Sequence, residues 1–259
     1  MVTIVSFFLH RTPELLFKKK KIGVIGGKSL IGHRGSRLEG LPENTIAAFK
    51  DAAKTAHILE LDVWLTKDNH VVVHHDDTLR RMTNGQVAKP VCDLHFHEMP
   101  RIVPTGKQTH RLHEYHDDDC HCIPTFEEIL KMLPDDMHLI IEFKQDSDIL
   151  VRKVHDLLSK YNRLDDHKDY WFSLTESINQ RLHSYDPNIP RITSIMTMLK
   201  ILVCFHIGIL PYIDIEESVF GIPLGAVSLC DVDSCHTLSY PIALLLYVRS
   251  QCTVIPYSN

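Results

Sequence analysis

From Ser29 onward, short apolar runs of β character alternate with stretches of helical spacing. The runs are Leu30–Gly32, Ile58–Leu65, Val71–His74, Leu139–Phe143, Trp171–Leu174 and Ile192–Ile195. Between the first two, Asn44–Ala56 places Ile46, Ala47, Phe49 and Ala53 on one helical face, and Thr125–Leu133 opens on a threonine followed by Glu128 at the third position. That threonine and glutamate are spaced to satisfy each other's backbone donors at a helix start. Strand then helix, repeated, predicts parallel pairing, because parallel strands need crossover helices that cover both faces of the sheet. The pattern therefore gives an α/β class with two open architectures, a doubly wound sheet or a (β/α) barrel.

Three segments stand outside the alternation. Met198–Ile213 carries Ile201, Leu202, Val203, Phe205, Ile207, Ile209, Leu210 and Tyr212, interrupted only by Lys200 and His206. It reads either as a buried helix or as an element resting on a bilayer. A second apolar run, Ile242–Val248, tips that balance toward a membrane surface. At the N-terminus, Val2–Leu9 precedes the basic run Lys18–Lys21. A spanning helix needs roughly 20 apolar residues, and a secretory signal puts its positive charge before the apolar stretch. Residues 1–28 are therefore expected to be a membrane-proximal segment, either an anchor stub or a tail with a solvated lysine cluster.

Composition narrows the function classes. The 259 residues carry 28 Lys+Arg against 33 Asp+Glu, a formal net charge of -5. Without a basic stripe there is no electrostatic footprint for nucleic acid, which is excluded as a partner. The 7 cysteines are odd in number and scattered, so a disulfide framework is not expected and the thiols read as facing a reducing compartment.

The chemistry sits at the ends of the β runs. His33-Arg34 follows the first, Glu60-x-Asp62 lies within the second, His75-Asp76 follows the third and Glu142-Phe143-Lys144 closes the fourth. In parallel α/β folds ligands bind at the carboxyl ends of strands. Glu60 and Asp62 are two apart, so on a strand both carboxylates enter one cavity. Their repulsion and lost hydration would be relieved by a divalent cation, with Glu142 as a third oxygen ligand. All-oxygen ligation suits Mg²⁺ or Ca²⁺ rather than Zn²⁺. The competing reading pairs the carboxylates with Arg34 and Lys144 in a structural ion-pair layer. His33 and His75 could serve as an acid/base pair, with Arg34 as a fork for phosphate oxygens and Lys144 as a point charge. Together these groups describe cleavage of a phosphate ester. The histidine-rich loop His95–Cys122, with its Asp117–Asp119 run, is read as solvated rather than as a second metal site.

The string His33-Arg34-Gly35, then Pro42-Glu43-Asn44-Thr45, Glu60-Leu61-Asp62-Val63, Val71-Val72-Val73-His74-His75-Asp76, Ile123-Pro124-Thr125-Phe126-Glu127-Glu128 and Ile141-Glu142-Phe143-Lys144 resembles the glycerophosphodiester phosphodiesterases. The resemblance runs from Ile31 to Val248 and implies a (β/α)₈ TIM-type barrel over residues 29–259 that hydrolyses glycerophosphodiesters with a divalent metal, Mg²⁺ first and Ca²⁺ as the alternative. It implies Glu60, Asp62 and Glu142 as metal ligands, His33 and His75 as the acid/base pair, and Arg34 and Lys144 at the phosphate. Glu43 would lie near the metal, although its position also suits the start of the following helix.

The greasy flanks resemble the membrane-associated branch of that family, whose members act as lysophospholipases D and release lysophosphatidic acid. This implies a lysophospholipid or glycerophosphodiester substrate, contact with a membrane surface, and a place at an intracellular membrane, the endoplasmic reticulum or a cytoplasmic face. Oligomeric state is not read from the sequence. The family's Trp-x-Val-Asn segment and closing Thr-Asp have no counterpart, so the barrel is expected to lack its last strands, with Ala226–Leu229 as a late strand and Ser250–Asn259 without motif. Three alternatives stay open: a catalytically silent form, a diesterase for water-soluble substrates that releases glycerol 3-phosphate, and a phospholipase of the same barrel type acting on inositol or sphingolipid head groups.

Overall fold

The computed structural model describes residues 30–36, 40–164, 169–223 and 253–257. Their elements are β1 (Ile31–His33), α1 (Ile46–Ala52), β2 (Ile58–Leu65), β3 (Val71–Val73), α2 (Asp117–His121), α3 (Phe126–Met132), β4 (His138–Phe143), α4 (Asp148–Lys160), β5 (Asp169–Phe172), α5 (Glu176–Tyr185), α6 (Ile195–His206), β6 (Val219–Pro223) and β7 (Thr253–Tyr257), with short 3₁₀ turns in the loops. β1, β2, β4 and β5 pair in parallel in that order. The series continues through single parallel bridges, Trp171 to Arg191 and Ile192 to Val219, and through the parallel pair β6–β7. This is the stave order of a TIM-type α/β barrel, reached by strand–helix repetition as the sequence pattern predicts. Among the described residues no ladder joins β7 back to β1.

The two faces of the staves have different packing. Leu59, Leu61, Val63, Leu139, Ile141, Phe143 and Trp171 lie under the helices, against Phe49, Phe126, Ile129, Val154 and Leu182. Their alternates, Ile58, Ile140, Tyr170 and Phe172, form a separate apolar cluster with Ile192 and Val219. Alternation along each strand thus fills one face with helix contacts and the other with a plug. The plug matters for function because Glu60, Asp62 and Glu142 continue the same inward row beyond it. The helix starts follow local chemistry: Thr45, Thr125, Ser147 and Ser194 each cap with a side-chain oxygen, and Thr125 and Glu128 complete the reciprocal box.

Two expectations change. Val71–His74 is not a parallel stave: β3 pairs antiparallel with the end of β2, Val63 opposite Val73 and Leu65 opposite Val71. The connection Thr66–His70 is too short for a crossover helix, and Asn69 turns it at φ 63°. Ile192–Ile195 contributes only its first residue to a strand bridge, because Ser194 caps α6 and the chain is helical from Ile195. Thr253–Tyr257, in the stretch Ser250–Asn259 that carries no motif, forms β7.

Met198–Ile213 is neither fully buried nor fully exposed. Ile201, Cys204 and Phe205 pack with Leu210 and Ile215, while Ile195, Met196, Leu199, Val203 and Ile207 are exposed. No helix among the described residues is long and apolar enough to cross a membrane. The N-terminal apolar and lysine runs, the strand candidate Ala226–Leu229 and the run Ile242–Val248 lie outside the described residues.

One ion pair anchors the β5 end of the sheet. Arg163 donates from Nε to Asp169 Oδ2 at 2.8 Å and from Nη2 to Asp169 Oδ1 and to the Met137 carbonyl, each at 2.6 Å, and both side chains are buried. Removing the carboxylate strands a guanidinium in the interior. Asp169→Ala is expected to destabilise the fold by about 3–5 kcal/mol, read as a lowered midpoint in denaturant; an unchanged midpoint would show that Arg163 finds water instead.

Candidate active site

The register of the parallel staves sets the site. His33 lies opposite Glu60 across β1–β2, and Asp62 lies opposite Glu142 across β2–β4. Glu60 and Asp62, two apart, share the inward face, so three carboxylates meet where the sequence placed two and a third. One oxygen from each of Glu60, Asp62 and Glu142 lies within 4.8 Å of the others, and all three side chains are buried. Among the described residues this is the one group with metal-ligand geometry. Among the described residues, the histidines of the His95–Cys122 loop form no such group.

Cations line the triad. Lys144 Nζ is 3.0 Å from Asp62 Oδ1 and 2.8 Å from Glu142 Oε1. Arg34 donates its backbone N–H to Glu60 Oε2 at 2.9 Å, and its Nε is 3.6 Å from Asp62 Oδ2. His33 Nε2 is 3.7 Å from Glu60 Oε2. Arg34 and Gly35 turn the chain sharply out of β1, at φ 56° and 76°. A side chain on Gly35 would place its Cβ 2.7 Å from the Ala48 backbone, so only glycine permits that turn against α1.

The ion-pair layer weighed from sequence is therefore present, and it is insufficient. Burial, reinforced by Asp62 and Glu142, raises the Glu60 carboxyl well above its ordinary value. Glu142 is pushed up to about 7, by burial first and by Asp62 second, despite Lys144. Asp62 is held low against its burial by Lys144, with His75, Arg34 and the Asn44 amide adding to the effect. Glu60 Oε1 is buried and accepts no hydrogen bond. Two cations do not neutralise three carboxylates in so dry a place. A divalent cation fits that deficit, and the oxygen-only donor set suits a hard ion.

Around the rim the structure adds residues that the sequence reading did not assign. His75 Nδ1 hydrogen-bonds Asp76 Oδ1 at 2.7 Å, and Arg81 grips Asp76 from Nε at 2.7 Å and Nη2 at 2.9 Å. The same Arg81 Nη2 donates to Glu43 Oε1 at 2.6 Å, which also accepts from Arg34 Nη1 at 3.1 Å. Glu43 therefore bridges two arginines at the site's edge, and the helix start belongs to Thr45. Its carboxyl is lowered against its burial by Arg81 and Arg34. Arg81 carried no signal in the sequence, since only the fold brings it to residue 43. Asn44 donates from Nδ2 to Asp62 Oδ2 at 2.8 Å and was legible only as part of a motif string. All eight residues singled out from sequence, His33, Arg34, Glu43, Glu60, Asp62, His75, Glu142 and Lys144, converge on this end of the sheet through these contacts.

With the geometry in view, comparison with known proteins gives a consistent result. A family model described as "Glycerophosphoryl diester phosphodiesterase family" matches residues 33–215. Lysophospholipase D GDPD1 of Homo sapiens is 33% identical over 252 residues, spanning 95% of this chain and 76% of that enzyme. Among solved structures, the glycerophosphodiester phosphodiesterase of Agrobacterium tumefaciens superposes with a TM-score of 0.63 at 22% identity, covering 89% of this chain and 87% of that one. An Oleispira antarctica phosphodiesterase, solved in complex with the product sn-glycerol-3-phosphate, gives 0.60 at 19% identity, covering 89% and 92%. At these identities the solved structures speak for the fold.

The raised carboxyls have a consequence for stability. Glu142 holds its proton in the metal-free fold at a pH where the unfolded chain has released it, so this contribution is complete below the ordinary carboxyl range and is lost as pH rises through about 7; Glu60 is raised too and acts in the same direction. Glu142→Gln removes the charge that becomes costly. It is expected to stabilise the metal-free chain at about pH 8 by about 1–3 kcal/mol, with the gain shrinking toward about pH 5, as read by thermal melts in chelator. A gain that did not grow with pH would contradict the crowding of these carboxylates.

Proposed function

The chain belongs to the glycerophosphoryl diester phosphodiesterase family, and on that premise we propose that it hydrolyses glycerophosphodiesters, as a lysophospholipase D that converts lysophospholipids to lysophosphatidic acid and a free head-group alcohol. The observation that carries the reading is the buried triad Glu60, Asp62 and Glu142, under-neutralised and flanked by Arg34, Lys144, His33 and His75. It is supported by the similarity to lysophospholipases D over most of the chain.

Glu60, Asp62 and Glu142 hold a divalent cation, Mg²⁺ in this proposal. When bound, such an ion polarises a phosphate oxygen and offsets the negative charge that develops there. The remaining steps belong to the chain's own groups. Arg34 offers a planar fork to phosphate oxygens, and Lys144, already beside Asp62 and Glu142, adds a positive charge at the same edge. Burial of the site raises the strength of both interactions. His33 and His75 divide the proton work: one removes a proton from the nucleophile, either water or the substrate's own glycerol hydroxyl, and the other protonates the oxygen that leaves as its bond to phosphorus breaks; where the hydroxyl attacks, water then opens the cyclic phosphate to the monoester. Asp76, held ionised by His75 and Arg81 against its own burial, accepts from His75 Nδ1. Proton exchange at His75 therefore runs through Nε2.

Exposed apolar residues after β5 and along α6 favour the lysolipid reading. Leu174 follows β5 at the carboxyl end of the staves, its carbonyl accepts from the Ile195 backbone N–H at 3.4 Å, and both side chains are exposed. Met196, Leu199 and Val203 extend this apolar ridge along α6. Exposed apolar groups in a contiguous row suit contact with lipid. On this basis the protein works at a membrane surface.

Release of head-group alcohol from lysophosphatidylcholine and from glycerophosphocholine, assayed in parallel with Mg²⁺, Ca²⁺ or chelator, checks the proposal. Cation-dependent hydrolysis with preference for the lysolipid is expected, and His33→Ala should lower kcat by roughly 10²–10⁴-fold. Preference for the soluble diester would move the assignment to a glycerol 3-phosphate-releasing enzyme. No hydrolysis by a folded, cation-loaded chain would refute it.

A further inference from the structure

Asn44 is a buried polar side chain at this site whose hydrogen bonding is half complete. It sits between the turn out of β1 and the start of α1, 3% exposed, with φ 57°. Its backbone N–H donates to the Arg34 carbonyl at 3.0 Å, which ties it to the phosphate-side turn. Its side-chain Nδ2 donates to Asp62 Oδ2 at 2.8 Å. A carboxylate oxygen accepts, and this contact fixes the amide with nitrogen toward Asp62 and oxygen away from it. Asn44 Oδ1 is then left buried with no hydrogen-bond partner. A buried amide oxygen without a donor is costly. Neighbouring oxygens repeat the pattern, since Glu60 Oε1 is also buried and unpartnered.

We propose that Asn44 is a positioning residue for the cation site: its amide N–H fixes the Asp62 carboxylate, and its Oδ1 accepts a hydrogen bond from water carried by the bound divalent cation. The inference rests on the reading of the triad as a cation site and extends it by one residue. The chemistry is that of an outer-shell partner, which orients a ligand and satisfies a coordinated water. Hydrated Mg²⁺ keeps several of its waters when protein carboxylates supply only part of its coordination, so a nearby acceptor has a donor to meet. Asn44 Oδ1 thereby gains the partner it lacks.

A competing role is purely local. Asparagine tolerates the left-handed backbone better than most residues, so the position could require only the turn. Glycine separates the two roles, since it adopts φ 57° freely but has no amide. The test is calorimetric titration of the full chain with Mg²⁺, comparing wild type, Asn44→Gly and Asn44→Ala, with thermal melts to confirm folding. Both variants are expected to bind Mg²⁺ about 10–100-fold more weakly. Asn44→Gly binding as tightly as wild type would overturn the proposal and leave the turn as the residue's only task. Failure of the wild type itself to bind would instead refute the cation reading beneath it. Should the variants not fold, a crystal structure of the Mn²⁺-loaded wild type decides: Oδ1 within hydrogen-bond reach of a metal-bound water supports the proposal, and Oδ1 still without a donor overturns it.

Discussion

Three carboxylates held together out of water are the constraint on which the rest of this structure depends. Glu60, Asp62 and Glu142 could each be accommodated alone, by a lysine or by protonation. Brought within 4.8 Å of one another, they cannot all ionise against only Arg34 and Lys144. The surrounding chain is arranged to sustain that conflict. An apolar plug of Ile58, Ile140, Tyr170 and Phe172 lies on the same inward face, and the apolar faces of helices cover the other. The result is a place where a small, highly charged cation is worth more than any side chain.

The register of β1, β2 and β4 carries this arrangement, and it is why strand geometry decides function here. A slip by one residue would turn Glu60 and Asp62 into the helix-covered layer occupied by Leu59 and Leu61. The rim is set differently, by a bend. β3 returns antiparallel on the end of β2 and brings His74 N–H to the Asp62 carbonyl at 3.0 Å, so His75 arrives over the site from a hairpin and not from a stave. Arg81 then links Asp76 to Glu43, and Glu43 to Arg34, tying the acid/base side of the rim to the phosphate side.

Much of this was legible in the sequence because period-two spacing is a strong statement. Glu60-x-Asp62 announces a shared face, and the register then supplies Glu142 across from Asp62. Motif order identified the family. The misreadings have physical causes. Val71–His74 looks like any buried strand, and only the shortness of Thr66–His70 tells that it must turn back. Ile192–Ile195 has β-branched character, yet Ser194 begins a helix inside it. Arg81 and Asn44 could not be assigned from local text. The contact of the first spans 38 positions and that of the second 18.

The central claim is that the buried triad exists to hold a divalent cation, and Mn²⁺ binding followed by electron paramagnetic resonance tests it most directly. Wild type, Asp62→Asn, Glu60→Gln and a variant with His110, His113 and His116 replaced by alanine would be titrated side by side. The account predicts a single tight site that each carboxylate variant loses while remaining folded, and that the loop variant keeps. Tight binding that survived in the carboxylate variants, or vanished with the loop histidines, would contradict it.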